Sequence, residues 1–214
     1  MSAREEILAR ITGALADSPV ARPVPRGYLR ASDTSTARLI ELLTDRLADY
    51  KAHVDVVASA GVPGILAGLL AGAESYVVPS GLPDDWFAHP ALEADGAPRR
   101  LRDDVSCPLS VAELDRASAV ITASAVSVAE SGTIMLDGSP AQGRRVISLV
   151  PDHHVCLVPA SSIVHILPEA VARLDGTRAM TWISGPSATS DIELERVEGV
   201  HGPRRLDVII ITDK

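Results

Sequence analysis

A chain of 214 residues is long enough to enclose one hydrophobic core without a disulfide or structural metal to hold it. Hydrophobic residues make up 46% of the chain and aromatics only 3%, so the core must be built from Val, Ile, Leu and Ala; that suits buried parallel strands under helices and excludes a base-stacking platform. The formal net charge is −8 and the Arg clusters are short (Arg99, Arg100 and Arg102; Arg144 and Arg145; Arg204 and Arg205), which argues against a nucleic-acid partner but leaves room for one small anionic ligand held by one of them.

The N-terminal stretch SAREEILARITGALAD reads as an amphipathic helix with Ile7, Leu8, Ile11 and Leu15 on one face, ending near Asp17. It lacks the basic and continuous apolar regions of a signal peptide, and the longest apolar run, Val62 to Leu70, is broken by Gly and Pro and too short to span a bilayer. The expectation is a cytoplasmic protein with no membrane span. A Pro/Arg-rich linker follows, SPVARPVPRGYLRASD, so residues 1–33 form a helical arm and linker and residues 34–214 the main domain.

From Thr34 the chain alternates: a helix over TSTARLIELLTDRLADY, a strand over HVDVVAS, a buried helix over VPGILAGLLAGA and a strand over SYVVP, the signature of a parallel sheet with helices on its faces. Residues 81–109, rich in Pro, Asp and Arg, read as irregular. Four short apolar runs of β character come next, SAVITAS, GTIML, RRVISLV and HHVCLVP; then a helix, PEAVARL, and two last runs, AMTWIS and LDVIIIT. Open α/β sheets bind ligands at the C-terminal ends of their strands, which places the expected site in the loops after SAVITAS and AMTWIS.

Three segments carry side chains suited to chemistry. In AESGTI, Glu130 precedes a Ser-Gly-Thr turn; Glu130 could act as base or nucleophile, and Ser131 and Thr133 could hold a carboxylate or oxyanion, against the plainer reading of a hairpin turn with a solvated acid. The polar segment Ser184–Pro203 and the residue after it bring Ser187, Thr189, Asp191, Glu193, Glu195, His201 and Arg204 between two apolar runs. Ser190 and Glu193 fit a capping box, but Asp191 and Glu193 in a first helical turn would repel a phosphate, so a neutral or carboxylate ligand at Ser187 and Thr189 fits better. His201, between Gly199 and Gly202, could be a proton donor, a ligand or a turn residue. Asp152-His153-His154 cannot chelate one metal from a straight strand, because adjacent side chains point to opposite faces; one histidine could face the cleft, and no metal site is expected. Neither GxGxxG nor GxxxxGK[ST] is present, and Cys107 and Cys156 cannot supply the four ligands of an iron–sulfur cluster.

The segments AESGTI, RRVISLVPDHHVCLV and GPSATSDIELERVEGVHGPRRLDVII, in this order and spacing, resemble the lactate utilization protein C family of LUD-domain proteins. The resemblance runs from EEILARI to the last strand, with GPSATSDIE…GVHGP its most specific part; AESGT stands where some relatives carry ADTGT or AETGT. It implies a three-layer α/β/α fold with a mostly parallel sheet, shared with sugar-phosphate isomerases and CoA transferases. It also implies a part in oxidising L-lactate to pyruvate alongside iron–sulfur partner proteins, with the clusters on those partners and no cofactor on this chain alone. On that reading a small carboxylate meets Arg204, with Glu130 and His201 as acid–base groups and Ser131, Thr133, Ser187, Thr189 and Asp191 lining the ligand. Two alternatives stand beside it: a stand-alone acyl-CoA transferase-like or isomerase-like enzyme, with Glu130 as the attacking carboxylate, and a non-catalytic binding or scaffold module docking through the N-terminal arm, homo-oligomers included.

Overall fold

A computed structural model describes residues 2–16, 23–189, 197–198 and 202–214. Helix α1 (Ala3–Ala14) starts at a reciprocal cap: the Ser2 hydroxyl accepts from the Glu5 N–H, and Glu5 Oε2 accepts from the Ser2 N–H at 2.7 Å. None of its residues is buried, and Ile7, Leu8 and Ile11 face solvent. The chain joins the body at Ser32 and Thr34. The Ser32 N–H donates to Glu169 Oε1 at 3.0 Å, and the two hydroxyls lie 2.8 and 3.2 Å from His165 Nδ1.

The body begins with α2 (Thr36–Asp49), β1 (His53–Val57), α3 (Val62–Leu69), β2 (Ser75–Pro79), α4 (Pro90–Glu93), β3 (Arg99–Asp103), α5 (Val111–Arg116) and β4 (Ala119–Ala123). It continues with β5 (Val126–Val128), β6 (Thr133–Leu136), β7 (His153–Pro159), β8 (Ile163–Val164), α6 (Leu167–Arg173), β9 (Thr181–Ile183), β10 (Ala188–Thr189), β11 (Val197–Glu198) and β12 (Arg205–Ile211). Six strands form one wholly parallel sheet in the order β1-β12-β7-β4-β2-β3. A second sheet, β8-β5-β6-β9, pairs β6 antiparallel to both β5 and β9, and β10 and β11 form a small antiparallel pair.

The main sheet is the middle of three layers, because its strands alternate apolar residues to both faces. On one face α3 sets Val62, Leu66 and Leu70 against Tyr76, Ile121, Val155, Leu157 and Ile209. On the other, α2 buries Leu39, Leu43 and Leu47 against Cys156, Val158, Val208 and Ile210, together with Ile134 and Leu136 from the second sheet. The spacing of those three leucines, four apart, makes one stripe of the helix, and each contributes about 1.5–3 kcal/mol by leaving water. The back of the second sheet is closed by α6, with Ala170 against Val126, Val128 and Met135. Among the described residues, no helix is long and apolar enough to cross a membrane.

Three expectations are corrected. The stretch 81–109 is not irregular throughout: it holds β3, paired with β2 from Ser75–Arg99 to Pro79–Asp103. As an edge strand it needs little apolar surface, and its arginines face outward; Arg100 lies 5.0 Å above the Phe87 ring and, like Arg102, binds Asp84. The run RRVISLV is not a strand but a 3-10 turn at Arg145–Ser148, closed by the Ser148 hydroxyl on the Arg145 carbonyl and anchored by buried Ile147. The run AMTWIS forms β9, which belongs to the second sheet, and so the segment that follows is not at the C-terminal edge of the main sheet. Its described ends meet at the opposite edge, where the Ser187 N–H donates to the Pro203 carbonyl at 2.8 Å, just before β12.

Candidate functional site

Strands β2 and β4 are neighbours whose connections leave on opposite faces. The segment after β2 packs Trp86 and Phe87 on the α3 face, whereas the chain after β4 builds the second sheet on the α2 face. Such a divergence opens a crevice at the C-terminal strand ends, where α/β sheets bind ligands. The loop 137–144 (DGSPAQGR) lies across it: the Gly81 N–H donates to the Pro140 carbonyl and the Ala123 N–H to the Ala141 carbonyl, both at 2.9 Å. Within the loop, Asp137 accepts from the Ser139 N–H and hydroxyl, and the Gln142 and Gly143 N–H groups return to the Ser139 carbonyl. Gly143 has φ 68°, and a Cβ there would fall 2.9 Å from both Ile147 Cδ1 and Pro79 Cβ, so only glycine fits.

Beside this loop is a cavity of ≈ 390 Å³, within the ordinary range for small-molecule sites of about 300–1,000 Å³. Its lining includes Ser80, Asp103, Gln142, Arg144, Arg145 and Arg178. Asp103 is 2% exposed and holds Arg144 by two bonds, Nε to Oδ2 at 2.9 Å and Nη2 to Oδ1 at 2.5 Å; Arg144 also donates to the Leu109 carbonyl. Arg178 donates to the Ser139 hydroxyl at 3.0 Å and approaches Asp137 at 3.6 Å. Arg145 is exposed and has no ion pair among the described residues. Gln142 is 5% exposed, and its buried Oε1 has no hydrogen-bond partner among the described residues, which costs about 1–3 kcal/mol.

A second cavity, ≈ 250 Å³, shares the wall residues Ser148 and Thr181 with the first. His154 and Leu206 lie in it, with Trp182, Ile183, Ser184, Ser187 and Pro203 among the other lining residues. His154 is 1% exposed and bonds Thr122 Oγ1 at 2.8 Å; burial, with the neighbouring His153, lowers its pKa to about 4, so it is a neutral imidazole. The two adjacent histidines do point to opposite faces. His154 turns to this cleft, and His153 bonds Asp207 Oδ2 at 2.6 Å on the α3 face. Asp207, fully buried, also accepts from Arg205 Nε at 2.7 Å; burial would raise its pKa, but these two partners more than offset that and hold it below the usual carboxylate range.

The AESGT turn and the start of the polar segment meet in space. Ser131 Oγ lies 2.8 Å from Thr133 Oγ1, which lies 2.9 Å from Ser184 Oγ. Gly132 has φ 63° against Arg46 of α2, and Arg46 Nε donates to the Glu130 carbonyl. The Glu130 side chain is exposed, and none of Glu130, Ser131 and Thr133 lines either cavity. Ser187 lines the second cavity, and Thr189 pairs with Val197 in the β10–β11 ladder. Arg204 grips Asp152 through Nε and Nη2, each at 2.7 Å, and these bonds hold the Asp152 pKa down despite the opposing effect of burial. Asp191 and His201, like the capping box at Ser190 and Glu193, lie outside the described residues.

Sequence reasoning passed over Gln142, Arg178 and Asp103, and singled out Arg144 and Arg145 only as one of three Arg clusters with room for a small anion. Gln142, Arg144 and Arg145 sit in one stretch, and its signal was a turn sequence, DGSPAQGRR, flanked by an apolar run. Asp103 and Arg178 are distant in the chain and carry no local signal. Among the described residues no group of three or more His, Cys, Asp or Glu side chains could hold a metal ion; Cys107 is exposed and Cys156 buried.

This architecture defines a LUD-type α/β protein, and the LUD domain family model matches residues 110–211, from the start of α5 to the end of β12. The chain is 44% identical over 214 residues to Lactate utilization protein C of Deinococcus radiodurans, covering 98% of this chain and 95% of that protein. It therefore belongs to the lactate utilization protein C family. It is 34% identical to the protein of that name in Bacillus subtilis over 149 residues, 66% of this chain and 59% of that one. In Shouchella clausii the corresponding match is 36% over 121 residues, 53% of this chain and about half, 52%, of the relative. A crystal structure of a DUF162 family protein from Deinococcus radiodurans superposes with a TM-score of 0.69 at 40% identity, covering 84% of this chain and 99% of that one.

Proposed function

We propose that this chain is a component of a system that oxidises L-lactate to pyruvate together with iron–sulfur partner proteins, and that it holds a small carboxylate. The observation that carries the reading is the 44% identity, over nearly the whole of both chains, to a protein named for lactate utilization. The reaction removes two electrons and two protons from lactate, so it needs an electron acceptor. Clusters on partner proteins are that acceptor in this proposal, since two cysteines cannot bind one here.

Reconstitution tests it. Purified chain with L-lactate and an artificial electron acceptor should give no pyruvate, and adding the iron–sulfur proteins that a pulldown with this chain captures should start turnover. If those proteins turn over lactate at the same rate without this chain, the reading fails. The acid–base roles proposed for Glu130 and His201 are tested in the same assay: Glu130→Ala or His201→Ala should abolish turnover while partner binding persists, and full activity in both removes them from the mechanism.

A further inference from the structure

We infer that the cavity at the C-terminal edge of the main sheet, apart from the Glu130 turn, is a ligand site of this chain and selects a hydroxylated carboxylate. Arg145 meets the carboxylate, and Gln142 Oε1 accepts from the hydroxyl. The inference rests on the lactate reading only for its choice of hydroxy acid; the site itself stands on geometry.

Three observations combine. The cavity lies where the connections of β2 and β4 diverge, in a sheet whose core is otherwise closed on both faces. Its cations are not all spent: Asp103 occupies Arg144, and Arg178 has Asp137 at 3.6 Å and Asp175 at 3.9 Å, whereas Arg145 has no ion pair among the described residues. An anion entering the cavity thus finds one guanidinium group, that of Arg145, with donors to spare. The third observation is Gln142. A carboxamide oxygen buried without a partner is an unmet demand for a donor, and the residue lines this cavity. A carboxylate offers no donor of its own; a hydroxyl beside it does. The polar segment at the other edge contrasts on this point, since its Arg204 is gripped by Asp152.

Titration calorimetry on the chain alone tests this with three probes of similar size: L-lactate, propionate, which lacks the hydroxyl, and propane-1,2-diol, which lacks the carboxylate. L-lactate should bind tightest. Arg145→Ala should weaken L-lactate and propionate alike, by roughly tenfold for a lost charged hydrogen bond. Gln142→Leu should leave propionate unchanged and weaken L-lactate about fivefold, the worth of one neutral hydrogen bond. The same variant should resist denaturant at least as well as the parent, because an unmet buried acceptor is gone. If Gln142→Leu folds poorly, Gln142→Glu keeps the shape and should repel both acids. Equal affinity for L-lactate and propionate in the parent overturns the hydroxyl contact. So does an equal loss of both acids in Gln142→Leu, which would mean the amide nitrogen faces the carboxylate. No binding of any probe, or full binding by Arg145→Ala, overturns the site. Binding here without any need for the chain in lactate turnover leaves the site and removes the lactate reading; the reverse removes the site alone.

Discussion

The two edges of the main sheet are built from the same materials and end in different states. At the N-terminal edge, buried Asp207 is met by His153 and Arg205, and Asp152 by Arg204. At the C-terminal edge, buried Asp103 is met by Arg144 in the same bidentate manner, but beside it, among the described residues, the Gln142 carboxamide oxygen has no hydrogen-bond partner and Arg145 no ion pair. A buried acid with its partners in place is a structural device. A buried acceptor without one implies something that comes and goes. The difference separates scaffold from site more sharply than the density of polar residues does.

The largest effects should come from removing the two buried acids. Asp207→Ala and Asp103→Ala each take away the acceptor of charged hydrogen bonds from arginines that water can still reach, and each should cost about 3 kcal/mol of folding stability in urea denaturation. The comparison is sharpened by ligand binding at a temperature where both remain folded: Asp103→Ala should also disturb the cavity through Arg144, while Asp207→Ala should not. Equal binding by both variants would erase the distinction drawn between the edges.

The next effect is on pH. His154 stays neutral in the folded chain down to about pH 4, whereas an unfolded histidine takes up its proton near 6.5. Between those values the unfolded state binds more protons, so stability must fall as pH falls, by up to about 3 kcal/mol. His154→Gln should flatten that part of the stability–pH curve. Asp207 adds a loss at lower pH, since its depressed pKa makes its contribution present above the ordinary carboxylate range and lost as pH falls through the folded value. The smallest effect is at the turn: Thr133→Val breaks the bonds to Ser131 and Ser184 and should cost about 1 kcal/mol. A cost near zero would show that the AESGT turn and the polar segment are not held together by that contact.

Much of the sheet was legible. SYVVP and HHVCLVP match β2 and β7 residue for residue, because buried parallel strands are continuous apolar runs. The edge strand RRLRD was hidden by its arginines, and the short strands β5 and β8 by their length of three and two residues. RRVISLV misled because one buried isoleucine in a turn and a strand residue look alike in sequence. For the site, local chemistry pointed to AESGT and the polar segment, and these do meet at Thr133 and Ser184. The cavity at the other edge drew on Asp103, Gln142 and Arg178, whose spacing along the chain gave no hint of their meeting.

By itself the sequence determined the aliphatic core, the alternation of strand and helix, the opposed faces of His153 and His154, and the family. Each of these depends on residues within a few positions of one another, where periodicity and sterics act directly. Tertiary structure alone decided which edge of the sheet carries the cavity, which acids are paired, and which polar atom is left without a partner. Those are set by strand order, and strand order is settled by burial over the whole chain: β12, the last strand, inserts between β1 and β7 and thereby assigns every loop to its edge.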